Sequence, residues 1–152
     1  MDLNSLYSEI ITEHNISKHN KRHVEGADVV EQGHNPSCGD EIELELKIEN
    51  GIIEDAGFTG VGCAISQAST SIMIDLIKGK SVEEAKHILE TFLGMIKREI
   101  TDDKELEILE DALALKNISN MPARVKCAVL AWHTLDESLE KSKINNFKKV
   151  TS

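Results

Sequence analysis

The stretch CGDEIELELKIENGIIEDAGFTGVGC, from Cys38 to Cys63, decides the fold. Ile42, Leu44, Leu46 and Ile48 alternate with Glu41, Glu43, Glu45 and Lys47. A period of two is that of a strand with one buried face and one wet face, here an acidic one. Asn50-Gly51 comes next, a strong two-residue hairpin signal because both positions accept positive φ. Ile52 to Thr59 then returns as the partner strand. Cys38 precedes this hairpin and Cys63 comes just after it. A hairpin brings its ends together, so the two cysteines are expected to be neighbours in space.

Working outward, the chain after Cys63 reads as helix through Ile77. Ala64, Ala68 and Ser71 are small, and Ile65, Ile72 and Leu76 supply an apolar face. Gly79 ends it, and Ser81-Val82-Glu83-Glu84 is a capping box opening a helix expected over Val82–Glu99. Thr101-Asp102-Asp103 is a break, Glu105–Leu115 is helical again, and Asn117–Pro122 is a connector. The last helix runs from Pro122, allowed in a first turn, to Leu139. On the other side, Leu3, Leu6, Tyr7, Ile10 and Ile11 give a helix over residues 3–14. A polar loop covers 15–28, and Val29-Val30 starts a strand. Helix, a small antiparallel sheet of about three strands, then several α-helices packed against it is an α+β order. Residues 1–140 form the expected single domain, and 141–152 a flexible basic tail.

Composition narrows the function. A chain of 152 residues with 40% hydrophobic and 29% charged residues is one soluble domain able to bury a core. Its formal charge of −10 argues against nucleic acid as the main partner and against an anionic membrane. No apolar run reaches the length of a membrane span, and Met1-Asp2-Leu3-Asn4-Ser5 lacks the features of a signal peptide. The 3 cysteines are odd in number and widely spaced, which points to a reducing, cytoplasmic setting rather than a disulfide framework.

A free cysteine is most often a small buried hydrophobe, and Cys127 among Val125, Ala128, Val129 and Leu130 fits that description. Cys38 does not, because Asn35-Pro36-Ser37-Cys38-Gly39-Asp40 is turn chemistry and turns lie at the surface. Cys63 opens a helix, where unpaired N–H groups and the positive dipole end face a thiolate. Intervals of 25 and 64 residues between the cysteines match no zinc knuckle. The tight link is Cys38-Gly39-Asp40, a carboxylate two residues from a thiol. Three thiolates and this carboxylate would suit tetrahedral zinc or, equally, a pair of irons. Zinc would leave a site charge of about −2, which nearby cations would offset. Arg124 lies one helical turn before Cys127, and Lys126 beside it.

Three motifs in order carry a resemblance: Asn35–Asp40; Gly60-Val61-Gly62-Cys63-Ala64-Ile65-Ser66 with Ala68-Ser69 and Ser71-Ile72-Met73; and Arg124-Val125-Lys126-Cys127-Ala128-Val129-Leu130-Ala131-Trp132. They resemble the IscU/NifU-N family of iron–sulfur cluster assembly proteins, most closely its SufU branch, over nearly the whole chain. The resemblance implies that Cys38, Asp40, Cys63 and Cys127 share one exposed metal site. Members of the IscU type carry a His before the third cysteine, where this chain has Lys126, and a Leu-Pro-Pro-Val-Lys segment read by an Hsp70-type chaperone. Met121-Pro122-Ala123-Arg124-Val125-Lys126 stands here instead, and the segment between the second and third cysteines is longer, as in SufU. The resemblance to SufU implies a zinc-bound protein that takes sulfur from a SufS-type cysteine desulfurase, with other Suf assembly components as further candidate partners. Cys38, released on docking, is the expected sulfur acceptor, and Arg124 the group steadying charge. The alternative is a scaffold that builds and passes on a [2Fe–2S] cluster on the same ligands. A closed structural zinc site is disfavoured by Asp40, since such sites use Cys and His.

Other signals are weaker. His14, His19 and His23 fall within ten residues and read as a polar surface loop rather than a metal site. Gly60-x-Gly62 has Ile65 where a nucleotide loop needs its third glycine. The acidic run over residues 99–111 reads as a solvated helix face.

Overall fold

The computed structural model describes residues 3–37 and 39–151, with side chains described over 5–37 and 39–144. Helix α1 (Leu3–Ser17) leads into strands β1 (Val29–Asn35), β2 (Asp40–Glu49) and β3 (Ile52–Val61). Helices α2 (Ala64–Ile77), α3 (Val82–Ile96) and α4 (Asp103–Leu106) come next, then a 3₁₀ segment (Glu107–Asn120) and α5 (Pro122–Thr151). The strands form one antiparallel sheet in the order β1-β2-β3, so the architecture is α+β.

The hairpin is the one the alternation implies. Asn50 and Gly51 take φ values of 53° and 76°, and β2 pairs with β3 from Glu49↔Ile52 out to Glu41↔Val61. Ile42, Leu44 and Leu46 are buried on the inner face. The outer face is less wet than its glutamates suggest. Glu45 is 6% exposed, because residues 20–24 cross over it. Its carboxylate accepts hydrogen bonds from His23 Nδ1 at 2.6 Å and Val24 N–H at 3.2 Å. A side chain at position 57 would stop this crossing: a Cβ on Gly57 would lie 2.5 Å from Arg22 O. Arg22 completes the strap with two hydrogen bonds to Asp55, of 3.0 and 2.7 Å.

The helices cover the inner face. Trp132 of α5 is fully buried and stacks on Phe92 of α3, ring centroids 4.0 Å apart. Its indole Nε1–H donates to Ser69 Oγ of α2 at 2.9 Å, and Ser69 Oγ–H donates to the Ala128 carbonyl of α5 at 2.6 Å. One hydroxyl therefore fixes the register of α5 on α2. The Ser81–Glu84 capping box is present, with Ser81 Oγ accepting from Glu84 N–H at 3.1 Å and Glu84 from Ser81 N–H at 3.3 Å.

Several boundaries differ from the sequence expectation. Helix α1 runs on to Ser17, and α3 stops at Ile96 rather than Glu99, with Arg98 at φ 61° turning the chain away. The helix expected over Glu105–Leu115 is instead α4 plus the 3₁₀ segment, broken by Glu110 at φ 45°, ψ −118°. Leu109, Ala112 and Leu115 remain buried across that break, so the apolar spacing is met without a regular helix. Helix α5 continues past Leu139 to Thr151, into the segment expected to be a flexible tail. Lys141 at its start donates to Val30 O at 3.2 Å and lies 3.4 Å from Glu31.

Ser69→Ala should destabilise the fold by about 1–3 kcal/mol, since it leaves the buried Trp132 N–H without its acceptor. Urea unfolding should show this as a lower midpoint at unchanged slope. A second expectation concerns acid. The Arg22 hydrogen bonds hold the Asp55 carboxyl at about 2, below its ordinary 3.8. A depressed carboxyl contributes stability that is complete above its unfolded value and is lost as pH falls toward its folded one. Arg22→Ala should therefore flatten the loss of stability between about pH 4 and pH 2, read from unfolding midpoints across that range.

Candidate metal centre

The site lies where β2 begins and α2 begins. Asn35 and Asp40 are paired in register where β1 ends and β2 begins. Asn35 Oδ1 accepts from Ser37 N–H at 3.1 Å, and Gly39 takes φ 67°, as the turn composition requires. Asp40 is fully buried. Its Oδ1 accepts a hydrogen bond from Cys63 N–H at 2.9 Å, tying the first strand residue to the start of α2.

Cys63 is the N-cap of α2, with φ −72° and ψ 168°. Its Sγ accepts from Ser66 N–H at 3.4 Å, the role an Asp or Ser oxygen ordinarily plays. Cys127, on α5, is 2% exposed, and the Ser69 bond to the next residue, Ala128, holds it in place. A carboxylate oxygen of Asp40 and the sulfurs of Cys63 and Cys127 all lie within 4.8 Å of one another. Cys38 lies outside the described residues; its flanking residues Ser37 and Gly39 are exposed. Arg124 and Lys126 are exposed on the first turns of α5, Arg124 one turn before Cys127.

These donors fit a divalent ion such as zinc, which accepts thiolate and carboxylate ligands together. Two further observations agree with that fit. Ser66 Oγ is buried with no partner among the described residues, beside the Cys63 cap. Gly62 leaves the cradle open: a Cβ there would lie 2.6 Å from Asp40 Oδ1 and 3.2 Å from Ser66 Oγ. Sequence reasoning misses Ser66, Ser69 and Gly62 as site-building residues. They sit inside the motifs, but a hydroxyl that fixes a helix register leaves no spacing signal.

The histidines separate. His23 pairs with Glu45 across the sheet. His14 is not in a surface loop: it lies on α1, is 9% exposed and bonds Ser71 Oγ at 2.7 Å. Burial pushes its pKa below the ordinary 6.5, against the pull of Asp75. His19 faces the same Asp75.

The sequence matches the family model described as NifU-like N terminal domain over residues 6–149. The chain belongs to this family. It is 45% identical over 136 residues to "Iron-sulfur cluster assembly scaffold protein IscU" of Thermotoga maritima, covering 90% of this chain and 94% of that one. It is 39% identical over 145 residues to "Zinc-dependent sulfurtransferase SufU" of Bacillus subtilis, covering 95% and 97%. Among solved structures, a putative iron–sulfur cluster assembly scaffold protein for the SUF system from Fervidobacterium islandicum superposes with a TM-score of 0.82 at 37% identity, over 91% of this chain and 99% of that one. No helix of the described residues is long and apolar enough to cross a membrane.

The geometry picks out Gly62 as the glycine that matters at the site. Gly62→Ala should weaken zinc binding by about tenfold or more and also lower the unfolding midpoint of the metal-free protein, because the added methyl collides with the buried Asp40 Oδ1 that accepts from Cys63 N–H. Competition with a chromophoric chelator measures the first quantity and thermal unfolding the second.

Proposed function

We propose that this protein serves iron–sulfur cluster assembly as a zinc-bound sulfur acceptor. In this reading Cys38, Asp40, Cys63 and Cys127 are the four ligands, and a SufS-type cysteine desulfurase in the cytoplasm is the donor. The observation that carries it is the convergence of Asp40, Cys63 and Cys127, with Asp40 two residues in sequence from the remaining cysteine. The zinc-dependent sulfurtransferase of Bacillus subtilis, at 39% identity across nearly both chains, supports the same reading.

The chemistry is thiol exchange. The desulfurase presents a persulfide, and the thiolate of Cys38 attacks its outer sulfur. A new S–S bond forms on Cys38 while the old one breaks, and the electron pair leaves with the desulfurase cysteine as thiolate. No oxidant is consumed. Bound zinc keeps the ligand thiols deprotonated. Asp40 and Cys63 are held by the hydrogen bond between them, so they remain in place while Cys38 exchanges. Arg124, exposed one turn before Cys127, offsets the anionic charge of the site as the donor thiolate departs.

A second reading keeps the same ligands and makes the protein a scaffold for a [2Fe–2S] cluster, as the name of the Thermotoga relative at 45% identity suggests. Lys126 in place of a histidine favours sulfur transfer. Protein purified without oxygen should contain zinc with no visible absorption band; a brown protein with labile sulfide supports the scaffold. With zinc protein, desulfurase turnover should rise, and Cys38→Ala should abolish that rise. A Cys38→Ala protein that still accelerates the desulfurase contradicts the assignment of Cys38.

A further inference from the structure

A second constellation lies at the other end of α2, and it shares no residue with the first. Asp75 is 12 residues beyond Cys63, about 18 Å along the helix axis. His14, His19 and Asp75 each place one donor atom within 4.8 Å of the others. Their orientation is more telling than their proximity. His14 Nδ1 is bonded to Ser71 Oγ at 2.7 Å, which leaves its Nε2 facing Asp75 Oδ2 at 3.8 Å. His19 Nδ1 is bonded to Ser17 Oγ at 2.6 Å, which leaves its Nε2 facing the Asp75 carboxylate, hydrogen-bonded at 3.0 Å to the same Oδ2 and at 3.1 Å to Oδ1. The buried Asn20 holds the other carboxylate oxygen, Oδ1, through its Nδ2 at 2.8 Å, and lies 3.1 Å from His19 Nε2.

Each imidazole is thus anchored through one nitrogen and aimed with the other, the arrangement by which outer groups orient histidine ligands. The backbone contributes as well. Lys18, at the end of α1, takes φ 52°, and that left-handed turn folds His19 back until its ring lies 5.3 Å from that of His14. A tetrahedral ion with bonds of about 2.05 Å separates its ligand atoms by about 3.3 Å, between the two Nε2–Oδ2 distances here. The cleft beside His14 and Asp75 is also lined by Glu110 and Asp111, so the surrounding charge favours a cation. Two imidazoles and a carboxylate with open positions suit a divalent transition ion of the zinc or iron(II) class rather than calcium or magnesium.

We propose that His14, His19 and Asp75 form a second, sulfur-free site for a divalent transition-metal ion. It stands independently of the function assigned to the cysteine site, and a cobalt(II) titration separates the two. Metal-stripped, reduced protein is titrated with Co²⁺ under nitrogen, following absorption, bound metal by equilibrium dialysis, and the histidine ring resonances with Zn²⁺ in parallel. Cobalt at the cysteine site gives an intense thiolate charge-transfer band, whereas the second equivalent should bind without adding to it and should shift the ring signals of His14 and His19. His19→Ala and Asp75→Asn, both at partly exposed positions, should lose the second equivalent and keep the charge-transfer band. Ser17→Ala, which frees His19 Nδ1, should weaken the second site about tenfold or more. Cys63→Ser should weaken the band and keep the histidine shifts. Wild-type protein that binds a single equivalent overturns the proposal, as does a second equivalent that survives unchanged in His19→Ala and Asp75→Asn; in that case His19 and Asp75 form only a surface ion pair.

Discussion

The Ser69 hydroxyl is the contact on which the site most depends. It accepts from the Trp132 indole and donates to the Ala128 carbonyl, so both ends of one turn of α5 are pinned to α2. A buried hydroxyl with a donor and an acceptor matched is stable, whereas a slip of α5 by one residue would part the Ser69 hydroxyl from the Trp132 indole N–H and leave both buried groups without these partners. Cys127 is the residue immediately before Ala128, so the same bond that registers the helices sets the position of its sulfur. Trp132 carries the constraint further, because its stack on Phe92 joins α3 to the pair.

The second constraint is the bond from Cys63 N–H to Asp40. A fully buried carboxylate is tolerated only where donors or a cation meet it. One donor is the first free amide of α2, which also turns the positive end of the helix toward the carboxylate and the Cys63 sulfur. Strand, helix N-terminus and α5 thereby converge on one small volume. Ser37 and Gly39, between β1 and β2, are both exposed.

Much of this was legible in the sequence because the signals were local. Alternation from Ile42 to Ile48 and the Asn50-Gly51 turn fix a hairpin through backbone sterics alone, and Ser81 with Glu84 marks a helix start by the hydrogen bonds the two side chains can make. What escaped was tertiary. Glu45 reads as a wet-face residue, and only the strap of residues 20–24 buries it. The apolar spacing from Leu106 to Leu115 is compatible with an α-helix, and nothing local announces the break at Glu110. The segment after Lys141 is mostly polar, yet the helix continues through it. Asp75 looks like an ordinary helix-surface acid, and its meeting with His14 and His19 depends on how α1 crosses α2. Cys63 and Cys127 sit in separate motifs, and the side chains beside them, Ser66 and Ser69, are silent until the helices are packed.

The zinc X-ray absorption spectrum of protein loaded with one equivalent of zinc tests the four-ligand site most directly. Four ligands from Cys38, Asp40, Cys63 and Cys127 predict three sulfur scatterers at about 2.3 Å and one oxygen at about 2.0–2.2 Å, falling to two sulfurs in Cys38→Ala. A wild-type shell with two sulfurs or fewer, or a spectrum that Cys38→Ala leaves unchanged, would contradict it.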